Sequence, residues 1–310
     1  MTDAPPTTVI ALATYHRPLL LARVLPLLVA QAAGVGPSVS ILVVDNDAER
    51  SAEATVRQWL SHNVSYECES RPGIAAARNR AIDKAANADL MVFIDDDEVP
   101  GEGWLRLLLD HWARWRCAAI AGPVGAEFVT EPGEWVTASG HFEARRLATG
   151  TILPGAPTSN LLVDLHILRE LGLRFEDAFG LTGGSDTMLT GRLVAGGGVI
   201  RWCAEATVTE IVPAERATRQ WVIERNRRAS NVWSRVMLAL AASPADRRRV
   251  RWGLTLRSGY LLFLGSTKSL VGRLRGDLHG RARGQIITTM ARGLLSGAYG
   301  RIVTEYRRES

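Results

Sequence analysis

The stretch LMVFIDDDE, residues 90–98, joins five apolar residues directly to four acidic ones. A continuous apolar run of this length is typical of a strand that is buried on both faces of a parallel sheet. Carboxylates at the end of such a strand repel one another and gain nothing from the core. The acidic residues are therefore either a solvated turn or the ligands of a hard divalent cation, which binds carboxylate oxygens.

The sequence before this stretch alternates between strand-like and helix-like segments. Strands are predicted over residues 8–13, 39–44 and 64–67, and helices over 18–31, 49–60 and 73–85. This alternation predicts β-α-β units and a mainly parallel sheet flanked by helices, which is a Rossmann-like α/β fold. Because ligands of such sheets bind beyond the carboxyl ends of the strands, we expect the polar residues that follow the strands to meet at one edge.

Several of these polar residues form a candidate nucleotide pocket. Asp45 and Asn46 follow the second strand, where a carboxylate and an amide would bind uracil, and Tyr15 follows the first strand, where it would stack on the base. Gly73 begins the third helix, whose N–H groups would bind phosphate together with Arg78. Aspartate and asparagine also favour turns, and an arginine on a helix also suits a surface ion pair, so a structural role is the alternative for these residues.

A further acidic residue, Asp186, lies in the turn Gly183–Asp186, which begins a predicted helix. An aspartate at this position stabilises a helix by capping it or through the helix dipole. The functional alternative is a general base that removes the proton of an acceptor hydroxyl.

The motifs of two common nucleotide-binding classes are absent. The sequence has no GxxxxGK[ST], which excludes a P-loop, and no GxGxxG after the first strand, which argues against a dinucleotide-binding dehydrogenase. A nucleotidyltransferase is an alternative function. However, residues 11–17 lack the glycine-rich signature that this class usually has near its first strand.

Charge divides the chain into two parts. Residues 1–212 carry 17 Lys/Arg and 26 Asp/Glu, a net charge of −9, whereas residues 213–310 carry 20 and 6, a net charge of +14. The basic part has long helical patterns, over residues 215–242, 247–272 and 282–306. We therefore expect a catalytic domain over residues 1–212 and a basic, mostly helical C-terminal region over residues 213–310.

The last helical segment has an amphipathic pattern. Its apolar positions are Ile287, Met290, Leu294, Ala298 and Ile302, and its basic ones are Arg292, Arg301, Arg307 and Arg308. This pattern predicts a helix on an anionic membrane surface, and the alternative is a helix packed on the catalytic domain. Residues 253–272 are too polar for a transmembrane helix. Nucleic acid is not an expected partner, because no aromatic residues are interleaved with the basic ones as in a recognised binding module.

The N-terminus and the cysteines indicate a cytoplasmic protein. Residues 1–6 lack the basic start and the apolar run of a signal peptide. Cys68, Cys117 and Cys203 lie far apart and form no CxxC pair, which suits a reducing compartment and predicts no zinc site. Together with the basic region, this predicts a peripheral location on the inner face of the cell membrane.

Six short motifs, in order along the chain, resemble those of glycosyltransferase family 2, the inverting enzymes with the GT-A fold. The similarity is to the bacterial exopolysaccharide subgroup typified by succinoglycan biosynthesis proteins. The matching stretches are Thr14–Pro18, Val43–Asp47, Arg71–Asn79, Phe93–Pro100, Phe179–Asp186 and Val212–Arg216. The resemblance implies a GT-A fold, a UDP-type nucleotide-sugar donor, Mg²⁺ or Mn²⁺ as cofactor, and a hydroxyl acceptor that in this subgroup is typically lipid-linked.

The resemblance also implies a role for each site residue. The metal is expected on Asp97, in the DxD-like segment Asp95–Asp97, and Asp186 is expected to be the catalytic base. The residues expected to bind the nucleotide sugar are Thr14, Tyr15, Arg17, Asp45, Asn46, Gly73, Arg78, Asn79, Asp95 and Asp96.

The sequence departs from the family pattern at two positions. Ser185 precedes Asp186 where the family often has glutamate, which leaves the aspartate in place. Thr209 precedes Glu210 where many relatives have histidine. If that histidine supports metal or phosphate, this protein binds one or both more weakly. The second departure leaves an alternative open, namely a catalytically impaired protein that binds nucleotide sugar.

Overall fold

The computed structural model describes residues 5–180 and 182–302. Contacts within the chain divide it into two compact units. The first comprises Met1–Gly125, Ala144–Gly180 and Ser185–Ile211, and the second comprises Ala126–Glu143, Leu181–Gly184 and Val212–Ser310. The chain passes from the first unit to the second between Ile211 and Val212, next to the division at residues 212 and 213 in the charge pattern. Residues 126–143 also belong to the second unit, which the charge pattern does not indicate.

The elements follow the predicted order closely. The strands are β1 (Thr8–Thr14), β2 (Val39–Asp45), β3 (Val64–Cys68), β4 (Leu90–Phe93), β5 (Glu98–Pro100), β6 (Ala119–Ala121), β7 (Val124–Phe128), β8 (Ile152–Leu153), β9 (Leu161–Asp164), β10 (Ile200–Trp202) and β11 (Val208–Val212). The helices are α1 (Pro18–Val35), α2 (Glu53–Arg57), α3 (Ile74–Lys84), α4 (Trp104–Trp115), α5 (Glu134–Ser139), α6 (Leu165–Glu170), α7 (Ser185–Ala195), α8 (Arg219–Ala239), α9 (Pro244–Leu274) and α10 (Leu278–Ala298).

An eight-stranded sheet forms the centre of the first unit, in the order β3-β2-β1-β4-β9-β6-β10-β8. β3, β2, β1 and β4 are parallel, as the alternation of strands and helices predicts. β9 is antiparallel to both of its neighbours, β4 and β6, and β8 is antiparallel to β10. Four of the seven strand pairs are parallel, so the sheet is mainly parallel, as predicted, and β9 and β8 are its two strands of opposite direction.

Both faces of the sheet are buried by apolar side chains. On one face, Leu21, Leu25 and Leu28 of α1 pack in a cluster with Trp104 and other residues of α4. On the other face, the alanines of α3 pack against the sheet. Among the described residues, α1 is the one helix long and apolar enough to cross a membrane. Since its apolar side contributes to this cluster, we interpret it as a core helix.

The parallel strands place the loops after β1, β2 and β4 at one edge, as expected. β5 begins at Glu98, the last residue of the acidic stretch 95–98. It pairs antiparallel with β11, so that Glu98 lies directly opposite Glu210. β5, β11 and β7 form a second, three-stranded sheet. The acidic stretch therefore lies between β4 of the large sheet and β5 of the small one.

The second unit contains α5, α8, α9 and α10, and α10 contacts the other three. Val136 of α5, Val222 of α8 and Ile286 of α10 form one apolar cluster. The indole N–H of Trp135 donates a hydrogen bond to Gln285 Oε1, at 2.9 Å. Segments that lie far apart in the sequence thus share one core.

The amphipathic surface helix expected near the C-terminus is instead an inner helix of this unit. Leu294 and Ala298 are buried and pack with Leu254 of α9. Glycines allow this close approach, since a Cβ on Gly297 would overlap the backbone oxygen of Asn231 in α8. Of the apolar positions in the predicted pattern, Leu294 and Ala298 are covered by protein, Ile287 is half-buried, and Met290 and Ile302 are exposed. α10 ends at Ala298, and the two terminal basic positions of the pattern, Arg307 and Arg308, lie outside the described residues.

Candidate active site

The acidic stretch after β4 is held by residues at the end of β1. Asp96 is buried, and its carboxylate accepts hydrogen bonds from Thr14 Oγ1 at 2.7 Å and from Arg17 Nη1 at 2.8 Å. The same Arg17 nitrogen lies 3.0 Å from Oδ2 of Asp97. Burial raises the pKa of Asp96, and Arg17 and Thr14 oppose that shift. The structure thus brings together four residues that the sequence assigned to the site.

Asp95 is close to charged groups from two helices. Its Oδ1 accepts a hydrogen bond from Arg78 Nη2 of α3, at 3.2 Å. Asp186 is the second residue of α7. Desolvation by the surrounding protein raises the pKa of Asp95, Arg78 opposes the shift, and the nearby charges of Asp97 and Asp186 raise it further. Asp186 therefore lies within electrostatic reach of the acidic stretch.

Glu98 is a buried member of the site to which the sequence assigned no role. Its Oε2 accepts a hydrogen bond from the backbone N–H of Asp95, at 2.9 Å. Burial raises the pKa of Glu98 well above its usual value, and the charges of Asp95, Asp97 and Glu210 raise it further. Its position at the end of the acidic run Asp95–Glu98 was the one sign in the sequence that Glu98 belongs to the site. The register that sets Glu210 opposite depends on a strand pairing that the sequence does not reveal.

The donor atoms at this edge suit a divalent cation. Six carboxyl groups gather there, from Asp95, Asp96, Asp97, Glu98, Asp186 and Glu210. Burial and mutual repulsion raise the pKa of three of them, which means that negative charge is concentrated in poorly solvated surroundings. Hard cations such as Mg²⁺ and Mn²⁺ prefer oxygen ligands and would relieve this repulsion. The residues present therefore fit the expected metal.

Asn46, expected in the base pocket, braces the loops around it. Its Nδ2 donates hydrogen bonds to the backbone oxygens of Glu69, at 2.9 Å, and Arg71, at 2.7 Å. Its Oδ1 accepts one from the N–H of Gly73, at 2.8 Å. Gly73 has φ 118°, a left-handed value that favours glycine, and it begins α3. Asn46 thus connects the end of β2 to the first turn of α3.

Asp45, also expected in the base pocket, is fully buried. Its Oδ2 accepts hydrogen bonds from the N–H of Ala52, at 2.8 Å, and from the hydroxyl of Tyr66, at 2.9 Å. Burial raises the pKa of Asp45. Its Oδ1 makes no hydrogen bond with the described residues. A buried acceptor without a donor costs free energy, but this oxygen has almost no accessible surface, so a ligand N–H would reach it only after the residues around it move.

The two remaining expected residues differ in their surroundings. Tyr15 is 40% exposed, and its ring meets that of His16 edge to face, with centroids 4.3 Å apart. The amide of Asn79 is used within the protein: Nδ2 donates to the backbone oxygen of Phe175 at 2.8 Å, and Oδ1 accepts from its N–H at 3.0 Å. Tyr15 thus presents an aromatic surface to a ligand, whereas Asn79 connects α3 to the segment before α7.

A separate group of side chains with metal-ligating atoms comprises His111, Cys203 and Glu205. Glu205 Oε2 lies 3.6 Å from Cys203 Sγ and 3.9 Å from His111 Nε2, and it accepts a hydrogen bond from Thr149 at 2.6 Å. Burial raises the pKa of Cys203 to about 11, so the thiol is protonated at neutral pH. These contacts form a hydrogen-bonded cluster that connects α4 to the loop after β10.

Comparison with known proteins identifies the family. The model described as "Glycosyl transferase family 2" matches residues 9–172, which include every expected site residue except Asp186. The protein called "Succinoglycan biosynthesis protein ExoM", from Rhizobium meliloti (strain 1021), is 33% identical over 259 residues, covering 81% of this chain and 81% of that protein. The chain belongs to glycosyltransferase family 2. It is therefore a glycosyltransferase.

Solved structures of glycosyltransferases share its fold. S. aureus TarS 1-349 in complex with UDP-GlcNAc has a TM-score of 0.54 and 14% identity, and the match covers 95% of this chain and 92% of that one. The match to a longer S. aureus TarS chain covers 94% of this chain and 55% of that one. GalNAc-T7 with UDP, GalNAc and Mn²⁺ has a TM-score of 0.53 and 12% identity, and the match covers 78% of this chain and 52% of that one. The GT-A fold expected from the sequence is thus confirmed.

Proposed function

We propose that this protein is an inverting transferase that moves a sugar from a UDP-sugar to a hydroxyl acceptor. The observation that carries the proposal is the convergence of Asp95–Asp97, Asp186 and two arginines at the carboxyl edge of the parallel strands. This edge is where α/β sheets bind nucleotides. The two similar structures that contain UDP or UDP-GlcNAc support the choice of donor.

The proposed reaction assigns the base to Asp186. Its carboxylate accepts the proton of the acceptor hydroxyl, and the oxygen attacks the anomeric carbon on the face opposite the nucleotide. The bond between this carbon and the β-phosphate oxygen breaks, and UDP leaves with the electron pair. A divalent cation held by Asp97 would supply positive charge that stabilises the leaving diphosphate. Arg17 and Arg78 orient the acidic stretch and are near enough to contribute further positive charge.

Donor binding is proposed to use contacts of three kinds. Asp45 Oδ1 accepts an N–H from uracil once the residues around it move, and Tyr15 stacks on the base. The first turn of α3, beginning at Gly73, offers N–H groups to phosphate. Asn46 and Asn79 act indirectly, through their hydrogen bonds to neighbouring segments. Thr14, Asp95 and Asp96 are the remaining residues proposed to bind the nucleotide sugar.

The biological setting is proposed to be polysaccharide or glycoconjugate biosynthesis at a membrane. The relative named for succinoglycan biosynthesis supports an exopolysaccharide acceptor, which we propose is lipid-linked. The excess of positive charge in residues 213–310 supports a peripheral position on the cytoplasmic face of the membrane. Thr209, where the family resemblance leads us to expect histidine, leaves open a second candidate, a protein that binds nucleotide sugar without turnover.

A panel of UDP-sugars, tested with and without Mn²⁺, distinguishes these candidates. A ligand that binds the folded protein raises its melting temperature by mass action. Slow release of UDP from a stabilising UDP-sugar, without acceptor, would support the transferase. Stabilisation without any UDP release or transfer would support the binding protein, and no stabilisation by any UDP-sugar would contradict the donor assignment.

A further inference from the structure

Helix α9 exposes a continuous stripe of large apolar side chains. Trp252 is 65% exposed, Phe263 71% and Leu274 77%. The other exposed members are Leu256, Tyr260, Leu264, Leu270 and Val271. They recur at intervals of three or four residues and so occupy one side of the helix. At 1.5 Å per residue the stripe is about 33 Å long, and a contiguous exposed patch of this kind marks a binding surface.

The polar residue within the stripe does not interrupt it. The hydroxyl of Thr267 donates a hydrogen bond to the backbone oxygen of Phe263, at 2.9 Å. Its hydrogen-bond donor therefore has a partner within the helix. No charged residue occupies a stripe position between Trp252 and Leu274. The whole side of the helix is therefore apolar over six turns, at 3.6 residues per turn.

The opposite side of α9 has small residues where a soluble helix usually has large ones. Ser258, Gly265 and Gly272 are buried, and a Cβ on Gly265 would lie 2.8 Å from the backbone oxygen of Gly284 in α10. Leu254 is buried on this side as well, but most of the large apolar side chains from Trp252 to Leu274 face outward, and Gly265 and Gly272 make the close contacts with α10. This arrangement is typical of helices whose outer surface meets lipid, where close backbone approach supplies the packing energy.

Basic residues border the stripe. Arg257 and Lys268 follow Leu256 and Thr267 and are exposed on one flank, and Arg273 is exposed on the other. Helix α9 has seven basic residues and one acidic residue, Asp246. Two copies of this face, brought together, would place these like charges around their contact. A bilayer with anionic headgroups offers the opposite charge at the flanks and an apolar layer at the centre.

We propose that the exposed side of α9 lies in the interface of an anionic lipid bilayer, with the helix axis parallel to the membrane plane. Trp252 and Tyr260 suit the boundary between headgroups and acyl chains, and Phe263, Leu270 and Leu274 enter the acyl region. Lys268 and Arg273 extend to the phosphates, whereas the guanidinium of Arg257 lies over the ring of Trp233, 5.2 Å from its centroid. This proposal specifies the membrane contact that the proposed function requires, and it replaces α10 with α9 as the contacting helix.

Vesicle flotation with the full chain, without donor or acceptor, tests this surface. The protein should float with phosphatidylglycerol-containing vesicles and much less with pure phosphatidylcholine. The triple substitution Phe263→Ser, Leu270→Ser and Leu274→Ser should weaken binding by at least about tenfold, since burial of these side chains drives it. Lys268→Gln with Arg273→Gln should reduce the preference for the anionic lipid. Leu60→Ser, Val129→Ser and Ile152→Ser alter exposed apolar residues elsewhere and serve as the matched control.

Two further measurements interpret the result. An unchanged melting temperature shows that the triple variant is folded; if it falls, the single change Phe263→Ser replaces it. UDP affinity, measured on the same samples, separates loss of membrane binding from failure of the proposed function. Equal flotation of wild type and folded variant would overturn the proposal. So would a wild type that does not float but forms a dimer in sedimentation that the triple variant lacks, because the stripe would then bind a second copy.

Discussion

The side-chain oxygen of Asn46 accepts a hydrogen bond from the backbone N–H of Gly73, 2.8 Å away. With the two bonds that its Nδ2 donates to the carbonyls of Glu69 and Arg71, this contact sets the position of the first turn of α3 relative to β2. The asparagine thus positions the helix end that we propose binds phosphate, and this role does not require it to touch the nucleotide.

We expect Asn46→Ala to destabilise the protein as well as to weaken UDP binding. The change leaves an N–H and two carbonyl oxygens without their partner, at a cost of about 2–3 kcal/mol. Thermal unfolding without ligand measures this cost, and calorimetry with UDP measures affinity. Asn87→Ala, at an exposed position, is the control and should change neither. Full thermal stability with lost UDP affinity would instead identify Asn46 as a direct ligand.

Donor and metal binding should be coupled through Asp97. In the wild type, Mn²⁺ or Mg²⁺ should tighten UDP binding on the order of tenfold or more, because the cation links the carboxylate cluster to the diphosphate. Asp97→Ala should lose most of this gain, whereas Asp83→Ala, an exposed carboxylate on α3, should keep it. Titration calorimetry with and without the metal provides the comparison. Wild-type affinity that does not depend on metal would rule out the assignment.

Asp186→Asn separates catalysis from binding. The amide keeps the shape of the side chain but accepts no proton at neutral pH, so transfer should fall by about 10²–10⁴-fold while donor affinity and melting temperature change little. A residue that only caps α7 would tolerate the change, since asparagine caps almost as well as aspartate. Asp110→Asn, at an exposed position of α4, is the matched control and should change none of these quantities. Near-normal transfer by Asp186→Asn would direct attention to Asp177 or Glu210 as the base.

The helical unit should lose stability in mild acid through His141. Burial and the nearby Arg225 lower the pKa of His141 to about 4, and the amide of Asn226 lies 3.0 Å from its Nδ1. In the unfolded chain the imidazole of His141 takes up a proton near pH 6.5, whereas in the folded chain it remains neutral at that pH. The stabilisation is therefore complete above pH 6.5 and is lost as the pH falls towards 4, by up to about 3 kcal/mol.

Melting temperatures from pH 7.5 to 4.5 measure this dependence. His141→Gln should flatten the part of the curve below pH 6.5, because glutamine does not titrate. His279→Gln, at an exposed position of the same unit, should follow the wild type. Parallel curves for wild type and His141→Gln would show that the imidazole does not contribute.

The edge that carries the site could be predicted from sequence because it follows from local patterns. Apolar runs identify β1, β2 and β4, and parallel strands must end on the same side of the sheet. Thr14 and Asp96 therefore meet although 82 positions separate them. The turn before α7 marked Asp186 as either a cap or a base, and the family resemblance favoured the base, since no spacing rule connects Asp186 to the acidic stretch.

The parts that escaped prediction depend on pairings between distant segments. The opposition of Glu98 and Glu210 requires the register of two short strands, and the insertion of β9 between β4 and β6 requires the path of the chain between them. In the helical unit, periodicity located the apolar residues of α10 but not their partners. The buried side of α9 includes Ser258, Gly265 and Gly272 besides Leu254, so hydrophobicity alone does not show which side faces inward.

The sharing of one core by α5, α8 and α10 has a consequence for the order of folding during synthesis. Val136 leaves the ribosome well before Ile286, its partner in the same cluster. At translation rates of 5–20 residues per second, the roughly 150 intervening residues take about 8–30 s. During that time Val136 lacks Ile286 and Trp135 lacks its hydrogen-bond partner Gln285, while the strands up to β6 are already available to pair. The nascent chain is therefore expected to expose apolar side chains of the α5 segment until α10 emerges. Chaperone binding should be concentrated on this segment.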